Sequence, residues 1–290
     1  MIGLDIISSY ISEEDFTLIR GYIKQNSGIA IGPEKNYLIE TRLTRLMAES
    51  GAETFGQFYQ YIKSGKDPLI RQKIINAIST NETMWFRDAS PWAVLEKIYL
   101  PRLTKALASG LKTRVRIWSA AVSTGQEVYS AVMCVDKYLQ ENAVKGAALS
   151  DFEFIATDIS SRALDIAKKG RYDKISITRG LNENYRKKYF VMRDSAWDIE
   201  PKIREAVTFM NFNLQNDYRK LGSFDIILCR YVLIYFSDEL KKEVITKMHG
   251  ALAEDGVLFT GNYVLYDFFD KCFEVNHYEN MTYYSKKGGE

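Results

Sequence analysis

From Ser12 onward the apolar positions recur at three- and four-residue intervals, with Phe16, Ile19, Tyr22 and Ile23 lining one side of a run from Glu13 to Lys24. That interval is the period of an α-helix, and the Ser12 hydroxyl stands where it can cap the first turn. Gly28 and the Gly32-Pro33 pair interrupt the run. A second helical stretch, roughly 34–50, turns Leu38, Leu43, Leu46 and Met47 inward and gathers Lys35, Arg42 and Arg45 on another side, with Gly51 as its stop. Helical spacing returns at 55–63 and 68–80, and no strand pattern appears in this region.

After Leu111 the pattern changes. Val115-Arg116-Ile117-Trp118 is a short β-prone run, followed at once by the small-residue turn Ala120 to Gly125 and a helical segment at 126–140. A second strand at 152–157 ends on Asp158 and leads to a helix at 161–169, and 224–229 and 257–260 read as two further buried strands. Strands alternating with helices predict an α/β fold with a doubly wound, mostly parallel sheet. Between about 172 and 212 the pattern turns irregular and polar, with one short strand at 196–199, so an inserted β-subdomain is expected there. The expected organisation is an all-helical domain at 1–75, a linking helical segment at 76–111, and an α/β domain at 112–290.

Length and composition narrow the function classes. The 290 residues exceed the ~150 of a typical domain, which favours two domains. Hydrophobic residues at 46% and charged residues at 26% are ordinary for a soluble globular protein. A net charge of +2 supplies no broad phosphate-binding field, so no nucleic-acid partner is expected. The first ten residues lack the layout of a signal peptide, and no apolar run nears the ~20 residues of a membrane span. A cytoplasmic monomer with no membrane insertion is expected. Cys134, Cys229 and Cys272 have no paired short spacing and are expected as buried thiols. With only His249 and His277 present, neither a metal centre nor a Ser-His-Asp hydrolase is expected.

The turn from Ser119 to Gly125 holds one glycine and is not a G-x-G-x-x-G fingerprint, yet its small side chains let a ligand approach the backbone. In an open parallel sheet, ligands lie outside the carboxyl ends of the strands, which puts Ala120 to Glu127 and Asp158 on one rim. Asp158 suits the hydroxyls of a ribose, or equally a helix cap.

Three segments carry more information jointly than singly. Asn81-Glu-Thr-Met-Trp-Phe-Arg87, Arg116-Ile-Trp-Ser-Ala-Ala-Val-Ser-Thr-Gly-Gln-Glu-Val-Tyr-Ser130 and Phe224-Asp-Ile-Ile-Leu-Cys-Arg-Tyr-Val-Leu-Ile-Tyr-Phe236 closely resemble the bacterial chemotaxis receptor methyltransferases of the CheR type. Ala156-Thr-Asp-Ile159, Gly170-Arg-Tyr172, Asn213-Leu214 and Leu258-Phe-Thr-Gly261 extend the resemblance over nearly the whole chain.

The resemblance implies an N-terminal helical domain, a class I methyltransferase domain with a small β-insert, S-adenosylmethionine as donor with S-adenosylhomocysteine as product, and receptor glutamates as acceptors. By position it implies cofactor contacts at Asn81, Thr83, Arg87, Glu127, Asp158, Asn213, Leu214, Tyr231 and Val232. Arg87 and Tyr235 are the candidates for handling the acceptor carboxylate. Arg42 and Arg45, at i and i+3 on a basic helix face, are the candidates for docking the acidic helical bundle of a methyl-accepting chemotaxis receptor.

Three places in the chain depart from the family's pattern. Gln126 replaces a glutamate, Tyr231 replaces an asparagine, and Asn262-Tyr263-Val264 stands where the family has His-Ser-Glu. They leave an alternative expectation, a catalytically weak or inactive cofactor-binding module that acts through protein contacts. Carboxylate methylation itself needs no strong base, since glutamate ionises near pH ~4.3, and a chain with two histidines meets that requirement.

Overall fold

The computed structural model describes residues 10–261 and 272–287. The chain divides into two units, one comprising the residues up to Thr80 with Tyr235–Leu240, the other Asn81–Ile234 with Lys241 onward.

In the first unit, α1 (Glu13–Ser27) starts as the Ser12 hydroxyl requires, accepting the Asp15 N–H at 3.1 Å. It ends at Gly28, whose left-handed φ of 79° turns its N–H onto the Lys24 carbonyl. Three helices follow, α2 (Asn36–Glu49), α3 (Phe55–Lys63) and α4 (Ile70–Ile78). Ile19, Ile39, Leu43, Met47, Phe58 and Ile74 form the centre of the core. The inward face of α2 is Ile39, Leu43 and Met47, while Leu38 and Leu46 are only half-buried. The face expected from the sequence was therefore rotated by about one position. An isolated bridge between Ile29 and Phe236 and the Ala30 N–H donated to the Tyr235 carbonyl at 2.8 Å bring 235–240 into this unit.

The second unit opens with α5 (Ala89–Val94), which passes through a π-helical turn at Leu95–Tyr99 into α6 (Leu100–Ala108). Pro101 explains the widened turn: it has no N–H, and in a regular helix its ring would meet the carbonyl four residues back. There follow β1 (Val115–Ala120), α7 (Gln126–Glu141), β2 (Phe152–Asp158), α8 (Ser161–Lys169), β3 (Arg171–Tyr172), α9 (Lys174–Thr178), α10 (Glu183–Tyr189), β4 (Phe190–Arg193), β5 (Ala196–Ile199), α11 (Pro201–Arg204), β6 (Val207–Asn211), β7 (Phe224–Leu228), α12 (Asp238–Ala251), β8 (Leu252–Phe259), β9 (Phe273–Tyr278) and β10 (Met281–Lys286).

Seven strands make one sheet in the order β6-β2-β1-β7-β8-β10-β9. The first five run parallel, and β10 is antiparallel to both of its neighbours. Ile117 of β1 pairs with Phe154 of β2 on one side and Ile226 of β7 on the other. All five residues of β7 are buried, which is why it reads as a continuous apolar run rather than an alternating one. Trp118 is fully buried against Phe224 and Tyr218, and its indole N–H is satisfied by the Thr157 hydroxyl at 2.9 Å.

Two expectations need correction. The insert is a three-stranded antiparallel sheet, β3-β5-β4, and ends before residue 207, because β6 joins the main sheet beside β2. As an edge strand β6 is buried at no position, so its sequence carries little apolar signal. Cys272 is exposed, unlike the buried Cys134 and Cys229. The insert is fastened to α7 by the buried Asp136, which accepts from Tyr189 at 3.0 Å, from Gln140 at 2.6 Å and from Lys202.

Candidate active site

From β1 the chain moves outward to β2 and β6, then returns to lay β7 on the other side of β1. The crevice beyond the carboxyl ends of β1 and β7 is thus the topological switch point, where ligands bind in such sheets. Asn213 and Leu214 follow β6, Asp158 ends β2, Glu127 stands in the first turn of α7 after β1, and Tyr231 and Val232 follow β7. Asn213 is tied locally, its Oδ1 accepting the Gln215 N–H at 2.9 Å, and Leu214 is buried.

Asp158 joins two turns. Its Oδ2 accepts the Ser123 N–H at 2.7 Å and its Oδ1 the Ser160 N–H at 2.8 Å. Burial raises its pKa, against the pull of these N–H groups. The cap of α8 is Ser160, which accepts from the Ala163 N–H at 3.2 Å, so Asp158 is not spent on capping. Each carboxylate oxygen retains a lone pair that can accept a hydroxyl. The turn itself is tight: Ala121, Ser123 and Gly125 have φ of 61°, 55° and 97°. Behind it the Tyr172 hydroxyl donates to the Thr124 carbonyl at 2.8 Å, and a Cβ on Gly125 would lie 3.0 Å from that same hydroxyl. The Gly170-Arg-Tyr172 motif therefore supports the turn from behind.

Beside the turn lies a charged cluster. Glu127 does not simply complement the N-terminus of its helix. It accepts from the Ser119 hydroxyl at 2.7 Å and from Arg230 Nη1 at 3.0 Å. Burial raises its pKa, and Arg230 and Ser119 oppose the rise. Arg230 has a side chain 1% exposed and reaches a second carboxylate, Asp88 Oδ2, at 2.7 Å, as well as the Arg87 carbonyl. Asp88 Oδ2 also accepts from the Tyr231 hydroxyl at 2.6 Å, and the Arg87 guanidinium lies over the Tyr231 ring, 3.4 Å from its centroid. Two arginines and two carboxylates thus share one small volume.

The segment from Asn81 to Asp88 is held by its backbone. The Asn81 carbonyl accepts from the Ser123 hydroxyl at 2.9 Å, the Trp85 N–H donates to the Arg179 carbonyl at 3.0 Å, and the Phe86 N–H donates to the Ser130 hydroxyl at 3.1 Å. Trp85 is fully buried, edge-on to Tyr172 and Phe190, with its indole N–H on the Ser176 carbonyl at 3.0 Å. Thr83 lies half-buried within this segment. Of the nine non-glycine residues with positive φ among the described residues, five belong to this site: Phe86, Asp88, Ala121, Ser123 and Tyr231. Such strain concentrates where a site fixes its geometry against local preference.

The other expected residues lie in the first unit. Tyr235 falls in the first unit, where its carbonyl accepts the Ala30 N–H. Arg42 is also there, with its Nη1 committed to the carbonyls of Ile78 and Ser79 and to the Thr80 hydroxyl. The exposed Arg45 pairs with Glu49 at 2.8 Å. Asn262, Tyr263 and Val264 lie outside the described residues. Asp88, Ser119 and Arg230 also belong to the cluster, although no expectation gave them a role. Ser119 and Arg230 sit inside the quoted motifs and Asp88 directly follows one, so their positions were visible even though their contacts were not.

The rim fits a nucleoside that carries a sulfonium and an amino-acid tail. Asp158 has acceptors for ribose hydroxyls, Glu127 supplies a negative charge for a cation, and Arg87 suits a carboxylate. The family model described as "CheR methyltransferase, SAM binding domain" matches residues 81–273, and "CheR methyltransferase, all-alpha domain" matches 14–79. Chemotaxis protein methyltransferase 1 of Pseudomonas aeruginosa is 40% identical over 85% of this chain and 88% of its own length. Chemotaxis protein methyltransferase Cher2 of Pseudomonas putida is 38% identical over the same shares. The Vibrio anguillarum chemotaxis protein methyltransferase is 36% identical over 87% of this chain and 89% of its own.

The sheet order and its rim define the class, a methyltransferase of the doubly wound α/β type that uses S-adenosylmethionine. More narrowly, the chain belongs to the CheR methyltransferase family.

Proposed function

We propose that this protein transfers a methyl group from S-adenosylmethionine to glutamate side chains of chemotaxis receptors, as a cytoplasmic monomer. The observation that carries the reading is the charged rim at the switch point, where Asp158, Glu127 and Arg87 match the hydroxyls, cation and carboxylate to be held. The chemotaxis methyltransferases to which the chain is similar support the receptor as acceptor. Among the described residues no helix is long and apolar enough to cross a membrane.

The bound cofactor supplies an electrophilic methyl on a positively charged sulfur, and the rest falls to the chain's own residues. Asp158 holds the ribose hydroxyls, while Asn213 and Leu214 stand beside the adenine. Asn81, Thr83 and Val232 complete the pocket wall. Arg87 grips a carboxylate and aligns it, and alignment alone can supply ~7–11 kcal/mol in favourable cases. The acceptor carboxylate is already ionised, so no residue must remove a proton. The two histidines lie elsewhere: His249 on α12 packs against Phe273, and His277 on β9 meets Thr282. Arg42 and Arg45 as receptor contacts and Tyr235 as an acceptor-side residue rest on the family resemblance.

Calorimetric titration with S-adenosylmethionine and S-adenosylhomocysteine, followed by methyl transfer to purified receptor fragments, tests the reading. The expected result is saturable binding of both and base-labile methyl esters on glutamates. No binding would remove the enzyme reading, and binding without receptor methylation would remove the acceptor.

A further inference from the structure

The charged cluster contains one contact with no evident need in a cofactor pocket, the stacking of Arg87 on Tyr231. The Arg87 Cζ stands 3.4 Å from the ring centroid, the geometry of a guanidinium laid flat on an aromatic face. Such a contact uses none of the guanidinium's N–H groups. Among the described residues the Arg87 side chain has no hydrogen-bond acceptor, whereas Arg230 beside it has three. One arginine of the pair is consumed by the structure. The other is oriented and left unspent.

The ring is itself fixed. Its hydroxyl donates to Asp88 Oδ2 at 2.6 Å, and Arg230 holds that same oxygen at 2.7 Å. Gly261 also closes on the ring: a Cβ at that position, where φ is 70°, would lie 3.2 Å from Tyr231 Cε2. Tyr231 and Asp88 both have a positive φ, of 60° and 56°. Bulky side chains pay for that conformation, whereas asparagine adopts it readily. A tyrosine at this position is therefore unfavourable for the backbone, and what it contributes is a ring and a phenol.

We propose that Tyr231, tethered by Asp88, is a positioning residue that holds the Arg87 guanidinium flat and presents its N–H edge to a carboxylate. The carboxylate is that of the cofactor's amino-acid tail or that of the acceptor glutamate. This inference rests on the carboxylate-binding role of Arg87 proposed above.

A double-mutant cycle on the full chain tests it, using Tyr231→Asn, Arg87→Ala and the pair, with Tyr231→Phe alongside. The readouts are the association constant for S-adenosylhomocysteine and, at saturating S-adenosylmethionine, the kcat/KM for methyl transfer to a receptor fragment. Whichever of these Arg87→Ala lowers identifies the carboxylate. On that readout Tyr231→Asn should cost about tenfold in the native background and less than about twofold when Arg87 is already alanine. Tyr231→Phe, which keeps the ring, should recover most of the loss. Because asparagine tolerates the backbone conformation, melting temperature should not fall in Tyr231→Asn, which separates positioning from misfolding.

Equal losses in both backgrounds, no loss in Tyr231→Asn, or a phenylalanine no better than asparagine would each overturn the positioning role while leaving the function proposed above intact. If Arg87→Ala lowers neither readout in a protein that still binds and turns over, the role of Arg87 fails and this inference fails with it. Absence of binding by the native chain would instead overturn the function itself.

Discussion

Burial pushes the Glu127 carboxyl above its ordinary value while Arg230 and Ser119 pull it back, so its charge is sensitive to what else enters the crevice. The direction of the shift fixes the pH dependence. A carboxyl raised in the folded state contributes stability below its ordinary value of 4.5 and loses that contribution as pH rises through the folded value. A cation arriving beside Glu127 offsets the loss. S-adenosylmethionine and S-adenosylhomocysteine share the same tail, so its titration cancels in their affinity ratio and the sulfonium charge remains. That ratio should rise with pH through the window above 4.5 in the native protein and stay flat in Glu127→Gln. At neutral pH it should be about three- to tenfold lower in Glu127→Gln, as expected for a partly buried charge pair. Paired titrations of the two ligands at several pH values measure this, and an unchanged ratio would separate Glu127 from the sulfonium.

Among the elements, the segment 81–88 depends on close backbone contact with the insert. Gly180, at φ of 90°, has the Trp85 carbonyl oxygen only 2.1 Å from where a Cβ would stand. Gly110, at φ of 74°, has nothing within 4 Å of that position. Both glycine-to-alanine changes carry the conformational cost of ~1–3 kcal/mol, but only Gly180→Ala must also displace Trp85. Gly180→Ala should therefore melt earlier than Gly110→Ala and also weaken S-adenosylhomocysteine binding, whereas Gly110→Ala should bind normally. Similar binding losses in both would mean that the placement of Trp85 does not reach the site.

How much of each element could be read in advance follows the same physics. The helix at 55–63 and the strand at 196–199 appear with the expected bounds, and α8 does so because Ser160 and Gly170 mark both of its ends. β6 was missed because an edge strand shows little apolar periodicity, and β9 and β10 because five of the twelve positions are exposed or half-exposed on β9 alone. In the site, Asp158 and Glu127 were legible from their places after β2 and β1. The Arg230 cluster was not, because it joins Asp88, Glu127 and Arg230 through contacts that local patterns do not encode.

For the whole molecule, the division into units does not follow chain order, since Tyr235–Leu240 groups with residues up to Thr80. The pairing of Ile29 with Phe236 and the Ala30 N–H on the Tyr235 carbonyl reveal this, and no local pattern announces such isolated contacts.

The sheet order has a further consequence. β10 lies between β8 and β9, and β9 reaches the sheet only through β10. During synthesis the parallel strands β1, β2, β6, β7 and β8 emerge first, and the outer edge of β8 stays open until residues 281–286 arrive. An open edge beside a buried strand invites pairing with another chain. A chain cut after Gly261 should therefore self-associate, as light scattering would show, and a monodisperse truncated protein would count against this. The β9-β10 hairpin thus acts as a closing seam: a nascent chain that stalls before it is left adhesive, and a copy that carries it has that edge sealed.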